Sequence, residues 1–178
     1  MEGVMQALRE EHAELAPKIE RLRVLADGLT SSSATLTIKP RLDEALEFLQ
    51  EHLTPHAMAE EAVLYPAVEE AMGAPGATAT MARDHVEVMA LTAAMAELRA
   101  AIRASGPSTA QILEARRLLY GLYAVVGLHF AKEEEVYVPI LEAKLDAAGA
   151  AALYARMEEA AAKVREVAEA EEEVMVAG

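Results

Sequence analysis

The chain contains no cysteine among its 178 residues. Disulfides, thiolate zinc sites, iron–sulfur clusters and thiol redox chemistry are therefore excluded. Aromatic residues are also scarce, at 4% of the sequence, while 53% of it is apolar. Because the apolar share is mainly Ala, Leu, Val and Met, with few strand-favouring residues, the composition predicts an all-α protein.

Basic residues are outnumbered, with 16 Lys and Arg against 30 Asp and Glu, which gives a net charge of −14. No Lys/Arg cluster stands out, so we expect no nucleic-acid partner and no anionic membrane surface as a partner. The N-terminus has neither the basic nor the apolar region of a signal peptide, and no apolar run reaches membrane-spanning length. These features predict a cytoplasmic location.

Glycine, proline and serine divide the sequence into helical segments. Apolar spacing predicts helices over about 2–29, 38–72, 78–104, 108–146 and 150–174. The segment 28–37 is expected to be a loop, and Ser108 with Gln111 forms a capping-box pattern. Prolines inside the patterns should kink or end a helix; they are Pro17, Pro55, Pro66 and Pro139.

Four long helices with short connections predict an up-down-up-down four-helix bundle. We assign residues 1–146 to this bundle and residues 147–178 to a C-terminal helical extension. The extension either packs on the bundle or binds a partner, which could be a second copy of the chain. Its apolar stripe consists of Leu153, Met157, Val164 and Val167.

An internal repeat carries most of the functional information. His12 and His56 are 44 residues apart, and so are His85 and His129. A shift of 73 residues superposes these pairs, and it also superposes HAMAEEAVLYPAV from position 56 on HFAKEEEVYVPIL from position 129. The pattern indicates duplication of a helix pair.

The repeated pattern places His and Glu at i and i+4, on one face of a helix and one turn apart. These pairs are His56 with Glu60 and His129 with Glu133. Two buried carboxylates among four imidazoles are costly without a cation, so the pattern predicts a two-metal centre rather than ordinary packing. Glu61 and Glu134 point about 100° away from their neighbours, so we expect them to matter less than Glu60 and Glu133.

The sequence resembles the hemerythrin-like, or HHE cation-binding, family over about residues 8–141. The resemblance rests on the two His-x-x-x-Glu-Glu segments with their following prolines, and on His12 and His85. It implies a bundle that holds two iron ions joined by an oxo or hydroxo bridge. The implied metal ligands are His12, His56, Glu60, His85, His129 and Glu133. Oxygen-carrying members use five histidines and an Asp bridge, so the four-His, two-Glu pattern here is nearer to bacterial hemerythrin-like proteins and to the iron-sensing domain of an F-box ubiquitin ligase subunit.

His52 stands outside the repeat, because its repeat position is Val125. It lies one turn before His56 and could be an additional ligand, a proton-handling group near the centre, or a capping histidine. The tyrosines close along the helices, Tyr65, Tyr123 and Tyr137, are candidates for hydrogen bonding to the histidines.

Mixed imidazole and carboxylate donors suit iron, with manganese or zinc as substitutes. Our first hypothesis is a protein that binds or senses O2, NO or peroxide at an open iron position. The others are a di-iron oxidase or peroxidase-like enzyme, an iron storage or sensing module, and a metal-free scaffold that binds a partner through residues 147–178. We favour a binding protein over an enzyme and assign no catalytic residue. A zinc-protease motif is absent because Leu53 stands where His52-x-x-x-His56 would need Glu.

Overall fold

The computed structural model describes residues 5–30 and 34–177, with side-chain surroundings for 5–30 and 38–170. The described part of the chain is almost entirely helical and contains no strand. Within these described residues, five helices follow one another: α1 (Gln6–Gly28), α2 (residues 34–72), α3 (Ala79–Ala101), α4 (residues 109–142) and α5 (Ala147–Ala177). The all-α prediction is confirmed.

The first four helices alternate in direction. Glu11 of α1 contacts His56 of α2 near one end of the pair, and Arg21 contacts Glu44 near the other. On α2 and α3, Glu61 contacts His85 while Asp43 binds Arg99. Each pair of contacts runs in opposite sequence directions. The same holds for α3 and α4, where Asp84 contacts Lys132 and Leu91 lies beside Gly121. The bundle is therefore up-down-up-down, as predicted.

Three wide π-helical turns interrupt α2 and α4. They are Phe48–Leu53 and Glu60–Leu64 in α2 and Glu133–Tyr137 in α4. Each ends just before a proline, which has no N–H and would clash with the carbonyl four residues back. The residue before the proline donates instead to the carbonyl five residues back, as Tyr65 does to Glu60 and Val138 does to Glu133. Pro55, Pro66 and Pro139 therefore widen a turn without ending the helix, and Pro17 lies inside an uninterrupted α1.

Several predicted helix limits were wrong by a few residues. Residues 31–33 of the predicted loop lie outside the described part, but α2 already begins at Ala34. Helix α4 ends at Glu142, four residues early, and α5 begins at Ala147. Gly149 lies in the first turn of α5, where its N–H donates to the Asp146 carboxylate at 2.8 Å. Asp146 caps the N-terminus of α5, so the helix begins at Ala147, earlier in the sequence than predicted.

The apolar core forms two clusters with the four inward-facing histidines between them. The larger cluster includes Leu22, Leu49, Met95 and Leu118. The second includes Leu8, Leu64 and Met81, and it extends to Leu153, Met157 and Ala161 of α5. The C-terminal helix is thus packed on the middle of α2, and its buried face is part of the core. None of the helices in the described part of the chain combines the length and apolar character needed to cross a membrane.

Candidate metal centre

All four helices of the bundle contribute a histidine to its interior. His12, His56, His85 and His129 are each only 3–4% exposed, and Glu60 and Glu133 are fully buried. The six residues that the sequence analysis singled out as ligands therefore lie together in one layer of the bundle. The donor atoms of His12, His56, Glu60 and Glu133 lie within 4.8 Å of one another, and so do those of Glu60, His85 and His129.

Glu60 lies between the two histidine pairs. Its Oε1 is 2.9 Å from His56 Nε2 and 3.6 Å from His12 Nε2. Its Oε2 is 3.3 Å from His85 Nε2 and 3.6 Å from His129 Nε2. One carboxylate thus directs one oxygen to each pair, which is the arrangement that a bridging ligand requires.

Glu133 has the corresponding position in the second half of the chain. Its Oε2 lies 3.5 Å from His12 Nε2, and its Oε1 lies 3.4 Å from His129 Nε2. Glu60 and Glu133 each begin a π-turn at matching positions of the repeat, one turn after a histidine. The duplication therefore places both carboxylates between the two histidine pairs.

The Nδ1 atom of every inward-facing histidine contacts a carboxylate outside the centre. His12 pairs with Glu134 at 2.8 Å and His85 with Glu61 at 2.9 Å. His56 pairs with Glu11 at 2.9 Å and His129 with Asp84 at 3.2 Å. A Nδ1–H donated to a carboxylate leaves the Nε2 lone pair facing inward, which is the tautomer a metal needs.

These four outer carboxylates were missed as a group by the sequence analysis, although the repeat contained the signal. The 73-residue shift superposes Glu11 on Asp84 and Glu61 on Glu134. Glu61 and Glu134 were expected to matter less because of the direction in which each points from its own helix. Each does point away from the centre, but it reaches a histidine on the neighbouring helix.

The electrostatics of the centre follow from charge concentrated in a dry interior. Burial alone would lower the pKa of His129, but the nearby carboxylates of Glu133 and Glu60 outweigh it and raise that pKa to about 10. The pKa of His56 is raised in the same way by Glu60 and Glu11. Burial and the nearby Glu60 charge raise the pKa of Glu133, whereas His56 and the other histidines outweigh burial and lower that of Glu60. Without a cation, protons on His12, His56 and His129, whose pKa values are all raised, balance the buried carboxylates.

Unpartnered polar atoms test whether the centre fits metal ions. Six buried side-chain nitrogen or oxygen atoms in the described residues have no hydrogen-bond partner, and five of them lie here. They are Nε2 of His12 and of His56, both oxygens of Glu60, and Oε2 of Glu133; the sixth is Arg116 Nε. Buried groups without partners are costly and rare, and lone pairs that converge on a common space are what a cation satisfies.

The comparison with protein families agrees with this geometry. The hemerythrin HHE cation-binding domain family matches residues 4–139, and a second, overlapping match covers residues 90–176. The chain belongs to this family. Comparison with curated proteins and with solved structures gives no match.

His52 lies outside the hemerythrin-like centre. The His52 side chain is exposed, its ring centroid lies 6.4 Å from that of Phe48, and it belongs to neither group of converging donors. It lines a surface pocket of about 420 Å³ between α1 and α2, together with Lys18 and Arg21.

Two other side chains, Phe130 and Tyr65, complete the surroundings of the hemerythrin-like centre. Phe130 stacks on His12, with ring centroids 4.2 Å apart, and meets His56 edge-on. Of the tyrosines considered from sequence, Tyr65 reaches the centre, whereas the Tyr137 hydroxyl donates to the Ala77 carbonyl at 3.4 Å. One side of the centre is therefore apolar and the other carries a phenol.

Proposed function

We propose that the chain is a non-haem di-iron protein that binds or senses O2, or the related ligands NO and peroxide, at an open iron position. The convergence of five unpartnered buried donor atoms, from His12, His56, Glu60 and Glu133, carries this proposal. His12 and His56 would hold one ion, and His85 and His129 would hold the other. Glu60 and Glu133 would bind both.

The donor set of the centre suits iron. The centre offers nitrogen and carboxylate oxygen donors with no sulfur, a mixture that suits iron and also accommodates manganese or zinc. Ferrous iron with a free coordination position supplies the capacity to bind O2 and NO and to react with peroxide.

The protein would contribute orientation and protection. The outer carboxylates fix each imidazole so that Nε2 faces inward, which keeps the donors arranged before a metal binds. Phe130 covers the His12 and His56 side with an apolar ring that is 8% exposed. An apolar wall of this kind limits water at the centre and suits a small uncharged ligand such as O2 or NO.

Anaerobic loading followed by ligand addition tests the proposal. Protein loaded with ferrous iron should change its absorption spectrum on addition of O2 or NO, and removal of the gas should restore it. Glu133→Gln should abolish the response, while Glu135→Gln should retain it, because Glu135 is exposed and lies outside the donor groups.

Two results would point to the other hypotheses. Continued consumption of O2 or peroxide in the presence of a reductant would indicate an enzyme. A loaded protein that responds to no ligand would indicate iron storage or sensing.

A further inference from the structure

Tyr65 places its hydroxyl among the donor atoms of one histidine pair. Its oxygen is 3.0 Å from Glu133 Oε1, 3.1 Å from His129 Nε2 and 3.2 Å from His85 Nε2. The side chain is 3% exposed, so no bulk water competes for these contacts. A phenol oxygen thus stands as close to the donors as the donors stand to one another, since His85 Nε2 and His129 Nε2 are 3.0 Å apart.

The π-turn before Pro66 explains why this tyrosine faces inward. In a regular α-helix, residues five apart such as Glu60 and Tyr65 differ by about 140° around the axis. The wide turn Glu60–Leu64 contains more residues per turn, and the Tyr65 N–H bonds to the Glu60 carbonyl. Tyr65 is thereby rotated towards the face that carries Glu60.

The duplication does not repeat the phenol. A shift of 73 residues superposes Tyr65 on Val138, a fully buried residue at the end of the matching π-turn. Valine has no donor atom. The centre is therefore symmetric in its histidines and bridging carboxylates, and asymmetric at this one position.

The spacing is that of ligands around a metal. With metal-to-nitrogen distances of about 2.0–2.1 Å, two ligands at right angles are about 3.0 Å apart. The phenol oxygen lies at this distance from three proposed donors, two nitrogens and a carboxylate oxygen. A hydrogen-bonding residue outside the ligand shell would instead contact a histidine at Nδ1, as the four outer carboxylates do.

We propose that Tyr65 is a further ligand of the ion held by His85 and His129, and that the two ions are therefore unequal. This inference rests on the proposed di-iron function. The ion at His85 and His129 receives five protein donors, and the ion at His12 and His56 receives four. The open position then lies at His12 and His56, beside Phe130.

Ligation involves loss of the phenol proton. In the absence of a cation, the Tyr65 phenol donates its proton in a hydrogen bond to Glu133 Oε1 at 3.0 Å. A metal ion bound between these donors takes the place of that proton, which leaves to solvent. No electron transfer is required.

Resonance Raman spectroscopy of the ferric-loaded protein tests the ligand directly. Excitation into a visible phenolate-to-iron charge-transfer band should enhance tyrosine ring vibrations. Tyr65→Phe should lose the band and these vibrations, and Tyr137→Phe should keep both, because the Tyr137 hydroxyl bonds to a backbone carbonyl. Wild-type protein with two bound irons and no tyrosine vibrations would overturn the inference, whether or not Tyr65→Phe folds.

Mössbauer spectroscopy of the same protein loaded with 57Fe tests the inequality. Two distinct iron environments are expected in the wild type, and they should become more alike in Tyr65→Phe. A single environment in the wild type would contradict the unequal donor sets. Failure of the proposed function is distinguishable, because the wild-type protein would then bind no iron, or would bind iron and respond to neither O2 nor NO.

Discussion

The carboxylate partners of the histidines offer a sharp test of how the centre is held. Glu134 accepts from His12 Nδ1 at 2.8 Å, and its side chain is 30% exposed while that of His12 is 4% exposed. Replacing Glu134 with Ala leaves the buried imidazole without its orienting acceptor. Arg9, which also contacts Glu134, retains its bond to Glu142 at 3.1 Å. The substitution therefore acts mainly on His12.

The expected size of the effect follows from this exposure. Loss of a partner that orients a metal ligand typically weakens metal binding by about 10- to 100-fold. Because Glu134 is partly exposed, water can replace it in part, and we expect about tenfold. Tenfold corresponds to about 1.4 kcal/mol. In a chain of this length, that lowers the unfolding midpoint of the metal-loaded protein by about 3–6 °C.

Chelator competition measures the affinity, and thermal unfolding with and without metal measures the stability. Glu135→Ala is the matched control, since Glu135 is the next residue of the same turn and is exposed. An affinity for Glu134→Ala within about twofold of the wild type would refute the role assigned to the outer carboxylates.

Three further predictions concern the centre and the C-terminal helix. Glu60→Ala should lower bound metal below one ion per chain. It should also remove the stabilisation that metal gives, because the ligands come together to bind metal only in the folded state. A metal content equal to that of Glu135→Ala would contradict this. In protein whose metal has been removed with a chelator, the free energy of unfolding should fall as pH rises from about 6.5 towards 10. The reason is that the pKa of His129 is raised to about 10 in the folded state, and that of His56 is raised too. In this pH range the folded state therefore holds protons that the unfolded state has lost. An unfolding midpoint that is unchanged or higher at pH 9.5 would exclude this, and metal-loaded protein should show a smaller change. Leu153→Ala, at a position 5% exposed, should destabilise the whole protein by about 2–5 kcal/mol in denaturant unfolding, whereas a separate early transition of α5 would show that it is not part of the core.

The sequence contained enough information to predict the bundle and to group the six inward-facing residues. Periodicity identified the helices, and the repeat identified His12, His56, His85 and His129 together with Glu60 and Glu133. Both signals depend on side chains that share a face of one helix, which spacing alone determines.

Contacts between helices could not be predicted in the same way. Glu61 and Glu134 project away from their own ligand faces, and only the packing of neighbouring helices brings them to His85 and His12. The inward position of Tyr65 depends on a π-turn, which rotates the residues that follow it around the helix axis. A regular period of 3.6 residues therefore assigns Tyr65 to the wrong face of the helix. Pro66 was visible in the sequence, but a helix can accommodate a proline either by a kink or by a widened turn. The sequence alone does not decide between the two.

Metal content of the aerobically purified protein, measured per chain together with its near-ultraviolet absorption, tests the central claim most directly. About two irons per chain with oxo-to-iron charge-transfer bands is the result that a centre of two histidine pairs and two bridging carboxylates predicts. A chain that holds no metal and takes up none during anaerobic incubation with ferrous iron would contradict it.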